Sequence, residues 1–98
     1  MDINSLKSQF SKYKKDLLDL NKYMYENPEL GYQEIKSVNK ITKLINKHTT
    51  DAKFKKFNDI PTAFTASINK KQRKKNIAIC IEYDALPNVG HACGHNLI

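Results

Sequence analysis

Apolar residues recur at helical spacing through the first half of this chain and then stop doing so. Leu6, Phe10, Tyr13, Leu17, Leu20 and Met24 are separated by steps of 4, 3, 4, 3 and 4, which draws one stripe down a helix. Asn4 or Ser5 is a suitable cap for its start. Asn27-Pro28 ends it, because proline disfavours helical geometry in the residue before it. A heptad stripe also marks coiled coils, but three heptads beside mixed α/β segments suit a packed surface helix better. Pro28 and Gly31 make ENPELGYQE a turn. Ile35, Val38, Ile41, Thr42 and Ile45 then predict a second amphipathic helix, with lysines at 36, 40, 43 and 47 on its other side. His48, where that pattern fades, reads as an exposed helix-end residue.

The period then changes. DAKFKKF and TAFTASIN read as short strands around Asn58-Asp59-Ile60-Pro61. NKKQRKKN, residues 69–76, reads as a solvated turn. IAICIEY, from Ile77 to Tyr83, is almost wholly apolar, β-branched or aromatic, the pattern of a strand buried on both faces. In that setting Cys80 is a buried small hydrophobe. The fold class is therefore α/β, with two helices followed by about three strands of a mixed sheet. No repeat or linker divides the chain.

Composition narrows the classes. At 40% hydrophobic and 28% charged residues the chain suits a globular fold, not a disordered one, although 98 residues bury only a modest core. No apolar run approaches the ~20 residues of a membrane span. The N-terminus lacks the basic-then-apolar order of a secretory signal. A cytoplasmic location is expected, with both cysteines as thiols. The net charge of +7, from 17 Lys+Arg against 10 Asp+Glu, raises nucleic acid or an anionic surface as a partner. The lysines are spread along helical faces, however, and the one dense run has no interleaved aromatics for base stacking. Neither nucleic acid nor membrane is expected as a partner.

The chemistry gathers after the last predicted strand, where ligand sites of open α/β sheets form. EYDALPNVGHACGHN carries Glu82, Asp84, His91, Cys93 and His95. Cys93 and His95 are two apart, and Gly94 between them permits a bend that turns both toward one centre. Thiolate, imidazole and carboxylate are ligands of zinc and related metals. The residues alone leave two other readings. One is a tight glycine turn with a buried thiol and structural histidines. The other is a Cys–His nucleophile pair, although residues two apart rarely set the imidazole against the sulfur.

EYDALPNVGHACGHNLI closely resembles the signature of the aminoacylase/carboxypeptidase-type zinc metallopeptidases. The resemblance is to the amidohydrolase branch, which includes hippurate hydrolases, N-acyl-amino-acid hydrolases and p-aminobenzoyl-glutamate hydrolase. ENPELGYQE, from Glu26 to Glu34, is similar to that family's early HPELGFEE segment. The resemblance covers essentially the whole chain but only the start of the family's catalytic domain. It implies that residues 1–98 are the N-terminal part of that domain, with its C-terminal half and the dimerisation domain outside them. It implies metal-dependent hydrolysis of amide bonds in N-acyl amino acids or dipeptide-like substrates. Cys93 and His95 match the first pair of metal ligands, Asp84 an aspartate that orients the site, and His91 a histidine that supports it from behind the ligands. Glu82 stands where other branches place a ligand histidine and is not itself assigned as one. Asn96 stands where many relatives have aspartate. The implied cofactor is a divalent metal, zinc or manganese, with two ions in intact relatives. The implied partner is a small amide or peptide. In the family the general base and remaining ligands follow this motif, so the 98 residues are expected to be an inactive truncated piece. The alternative is a non-enzymatic small basic module that binds a metal or an anion through Cys93, His95 and the lysine-rich turn.

Overall fold

The structure, a computed structural model, describes residues 2–68 and 75–98. Its elements are α1 (Ile3–Glu26), α2 (Ile35–His48), β1 (Lys53–Phe57) and β2 (Ile60–Ser67), followed by two single 3₁₀ turns, His91–Cys93 and His95–Leu97. The helices form where the two apolar stripes predict them. Asp2, not Asn4 or Ser5, caps α1, its Oδ1 accepting from Ser5 N at 2.7 Å. Ser5 lies within the first turn, where its own N–H needs an acceptor. At the other end Asn27 donates to Tyr23 O through both its backbone N, at 2.9 Å, and its side-chain Nδ2, also at 2.9 Å.

The two helices pack antiparallel. Lys40 Nζ sits 4.3 Å over the Tyr23 ring near one end. Near the other, Asp16 Oδ2 takes Lys47 Nζ at 2.8 Å and His48 Nε2 at 2.7 Å. His48 also meets Tyr13 edge-on, with ring centroids 4.8 Å apart. Together these tie the exposed end of α2 to the middle of α1. The buried apolar residues are Met24, Val38, Ile41 and Ala85. This core lies at the C-terminal end of α1. The stripe toward its N-terminus, including Leu6, Phe10 and Leu17, remains exposed.

Glu34 is the N-cap residue of α2 but makes no side-chain cap bond. Glu29 does that work from five residues upstream. Its Oε1 accepts from Ser37 N at 2.7 Å and Ser37 Oγ at 2.8 Å, and its Oε2 accepts from Lys36 N at 2.9 Å. A carboxylate at a helix N-terminus satisfies orphan N–H groups and complements the helix dipole. Burial alone would raise the Glu29 pKa, but these hydrogen bonds outweigh it and hold the carboxyl below its usual 4.5. The Glu29 carbonyl also accepts from Ala85 N at 2.8 Å, in a parallel bridge between Leu30 and Ala85. The ENPELGYQE turn thus anchors both the second helix and the loop that carries the motif.

β1 and β2 pair antiparallel, Lys53 opposite Ser67 and Lys56 opposite Phe64, with the register shifting between Lys56 and Phe57. β2 starts at Ile60, earlier than predicted, and Pro61 sits beside that irregularity, where proline is tolerated in a strand.

The predicted third strand does not form: the sheet among the described residues has two strands, and Ile77–Tyr83 has no regular structure. Ile77 and Ile79 are 93% and 83% exposed, and Cys80 is exposed, not buried. A strand buried on both faces needs a hydrogen-bonding neighbour and a packing layer on each side. Among the described residues Ile77–Tyr83 has no such strand partner and no layer packed on both of its sides. Residues 69–74 of the predicted lysine-rich turn lie outside the described residues.

Glu29→Ala is expected to destabilise the fold by about 1–2 kcal/mol, the usual cost of losing a helix cap, as read from urea unfolding. Because the Glu29 pKa is depressed on folding, its contribution is present above 4.5 and is lost as pH falls through the folded value. The gap between wild type and variant should therefore close in acid.

Candidate functional site

Tyr83 and Ala85, on either side of Asp84, are each held by a different part of the fold. Tyr83 OH donates to Thr62 O of β2, and its ring stacks on Phe64 at 6.2 Å. Ala85 is buried and bonded to Glu29. Asp84 lies between these two anchors, so its position is determined from both sides. Leu86 and Gly90 then close a tight turn through two backbone hydrogen bonds, of 2.9 and 3.1 Å. Gly90, at φ 59° and ψ −137°, occupies backbone space that side chains exclude.

Asp84 is the common partner of the two predicted ligands. Cys93 Sγ donates to Asp84 O at 3.7 Å, and His95 Nδ1 lies 2.8 Å from Asp84 Oδ1. Gly94, left-handed at φ 81°, makes this possible by reversing the chain between the two 3₁₀ turns. Asn96 secures the second of these turns to α1 by donating from Nδ2 to Asn21 Oδ1.

His95 Nε2 is also engaged, 2.8 Å from Glu82 Oε2. Both ring nitrogens thus lie within hydrogen-bonding distance of a carboxylate. The hydrogen bond to Asp84, opposed by burial and aided by the charges of Asp84 and Glu82, raises the His95 pKa above 6.5. Among the described residues no group of three His, Cys, Asp or Glu side chains is placed to hold a metal ion. The donor chemistry nevertheless fits one. A carboxylate behind Nδ1 fixes the tautomer whose Nε2 lone pair binds metal, and that Nε2 now faces a second potential oxygen ligand instead.

His91 is only 5% exposed, and neither ring nitrogen has a hydrogen-bond partner among the described residues. Burial, then the neighbouring His95 charge, lowers its pKa. It lines a cavity of about 440 Å³ with Asn21, Lys22, Tyr25, Cys93 and Asn96. A second cavity, of about 340 Å³, lies on the Asp84 side and is lined by Glu34, Glu82 and Asp84. Sequence reasoning missed the Glu29 cap, the Asn21–Asn96 bridge and the pairing of Glu82 with His95. Only the last had a local signal, since Glu82 precedes Asp84 by two residues and points the same way along an extended segment.

The chain is similar to three curated relatives. It is 35% identical to the Xaa-Arg dipeptidase of Mus musculus over 86 residues, covering 81% of this chain and 20% of that protein. It is 33% identical to the Xaa-Arg dipeptidase of Homo sapiens over 89 residues, with the same coverage of each. It is 29% identical to the N-acetyldiaminopimelate deacetylase of Oenococcus oeni over 99 aligned positions, covering 83% of this chain and 25% of that protein. No protein-family model matches. The chain thus spans about a fifth to a quarter of the length of these relatives, and it resembles the N-terminal part of the amidohydrolase branch of the aminoacylase/carboxypeptidase-type metallopeptidases. No helix among the described residues is long and apolar enough to cross a membrane.

The His95 ring should titrate above 6.5 by NMR, and Asp84→Asn should bring it down. Because the folded value is raised, the stability this group adds is present below 6.5 and lost as pH rises through the folded pKa. A His95 pKa unchanged by Asp84→Asn would contradict the pairing described.

Proposed function

We propose that these residues form the N-terminal part of a metal-dependent amidohydrolase and supply its first two metal ligands, Cys93 Sγ and His95 Nε2. The observation that carries this reading is the 2.8 Å contact of His95 Nδ1 with Asp84 Oδ1, in a chain similar to a dipeptidase and a deacetylase. Asp84 keeps a proton on Nδ1 and so presents Nε2 as a lone-pair donor. Cys93 gives up the proton it now directs at the Asp84 carbonyl, since the thiolate is the form that binds metal. Glu82 would have to move off Nε2 for that lone pair to meet a metal. A metal ion held in this way lowers the pKa of a bound water and polarises a carbonyl.

The substrate class is a small amide, an N-acyl amino acid or a dipeptide, handled in the cytoplasm without nucleic acid or membrane. In this reading the further ligands and the general base come from outside these residues, and Cys93 and His95 supply part of the metal shell. His91 supports the loop from the buried side.

Titration of the chain with Zn²⁺ and with Mn²⁺ by calorimetry tests this. One ion should bind, and Cys93→Ala and His95→Ala should each weaken binding by about tenfold or more, with Asp84→Asn costing about 10–100-fold. Equal affinity in all variants would remove the reading. Turnover of an N-acyl amino acid by the chain alone would overturn the placing of the general base outside these residues.

A further inference from the structure

A buried polar side chain without a hydrogen-bond partner is uncommon, because its lost hydration is not replaced. His91 is such a side chain. It is 5% exposed, and neither Nδ1 nor Nε2 has a partner among the described residues. The 3₁₀ turn that His91 starts is closed by its backbone, Gly94 N donating to His91 O at 3.0 Å, so the ring nitrogens are not needed there. In either charge state an imidazole keeps at least one N–H to donate. His91 lines the cavity of about 440 Å³ that lies against α1.

The other lining groups suit one kind of ligand. Lys22 brings an ammonium whose ion-pair partner among the described residues, Glu26, stands 3.8 Å away, too far for a hydrogen bond. Asn21 spends its Oδ1 on Asn96, and its Nδ2 is a further donor. No aspartate or glutamate lines this cavity among the described residues. The partial negative charge at the end of α1 fades within its last turn, and Asn27 already occupies Tyr23 O and Met24 O there. Tyr25 and Leu97 add apolar wall. Donors and a cation for a charge, with apolar surface for its body, are the lining of a small-molecule pocket.

We propose that this cavity binds a small organic anion, its carboxylate or phosphate group held by His91 and Lys22. The inference goes beyond the amidohydrolase reading and needs neither metal nor catalysis. A metal ion fits less well. Among the lining residues only Cys93 and His91 are strong ligand types, and the Lys22 charge repels a cation. A neutral amide gains nothing from Lys22. The volume exceeds what a bare inorganic ion fills and suits an anion on a ring-sized body.

The test is NMR titration of the metal-free 98-residue chain with benzoate, phenyl phosphate and benzamide, at one pH and ionic strength. Benzamide has the shape of benzoate without its charge. Benzoate or phenyl phosphate should shift the Lys22, His91 and Asn96 amides and bind about tenfold tighter than benzamide, as expected for hydrogen bonds to a charged group. Whichever of the two binds tighter names the group the site takes. Lys22→Glu, a change on an exposed helix face, should abolish the preference for the anion. His91→Phe keeps a flat ring without donors and should weaken anion binding while leaving benzamide unaffected. Should His91→Phe fail to fold by circular dichroism, Lys22→Glu decides alone. Equal binding of charged and neutral ligands, shifts scattered over the surface lysines, or an unchanged preference in Lys22→Glu overturns the proposal. The result does not depend on whether Cys93 and His95 bind an ion.

Discussion

The structure depends on one glutamate that faces two ways. The Glu29 side chain satisfies the first turn of α2, and its backbone carbonyl holds Ala85. A helix start and a distant loop are therefore referenced to the same residue. Met24, Val38, Ile41 and Ala85 form the buried core around this junction. So small a core would not position a loop by packing alone. Directional hydrogen bonds supply the precision that burial does not.

From that junction the site follows. Ala85 is fixed, Tyr83 is tied to β2, and Asp84 between them meets both Cys93 and His95. The two cavities on either side of this loop differ in charge. One contains Lys22, His91 and two asparagines, and the other contains three carboxylates. A single loop thus separates two electrostatically distinct environments.

Away from the junction the chain is less well covered. The N-terminal stripe of α1 and the side chains of Ile77 and Ile79 face solvent. These are apolar surfaces of the kind that pack against further layers in an α/β fold. Their period and composition made them legible as core-facing segments. Whether they are buried depends on what else is present to pack on them, and β1 and β2 do not extend to them.

The sequence alone determined the helices, the β-hairpin and the identity of the motif. The reason is that these rest on local periodicity, on turn residues such as Pro28 and Asn58, and on residue chemistry at short spacing. It could not place Cys80, because burial is a property of neighbours and not of composition. It also could not show that Glu29 caps a helix that starts six residues ahead, or that Oε2 of Glu34 has no hydrogen-bond partner among the described residues. Both are glutamates in one short turn, and only the path of the backbone sends one to the helix start and the other to the second cavity. The pairing of His95 with Glu82 and Asp84 was decided in the same way, by a left-handed glycine and two anchors distant in sequence.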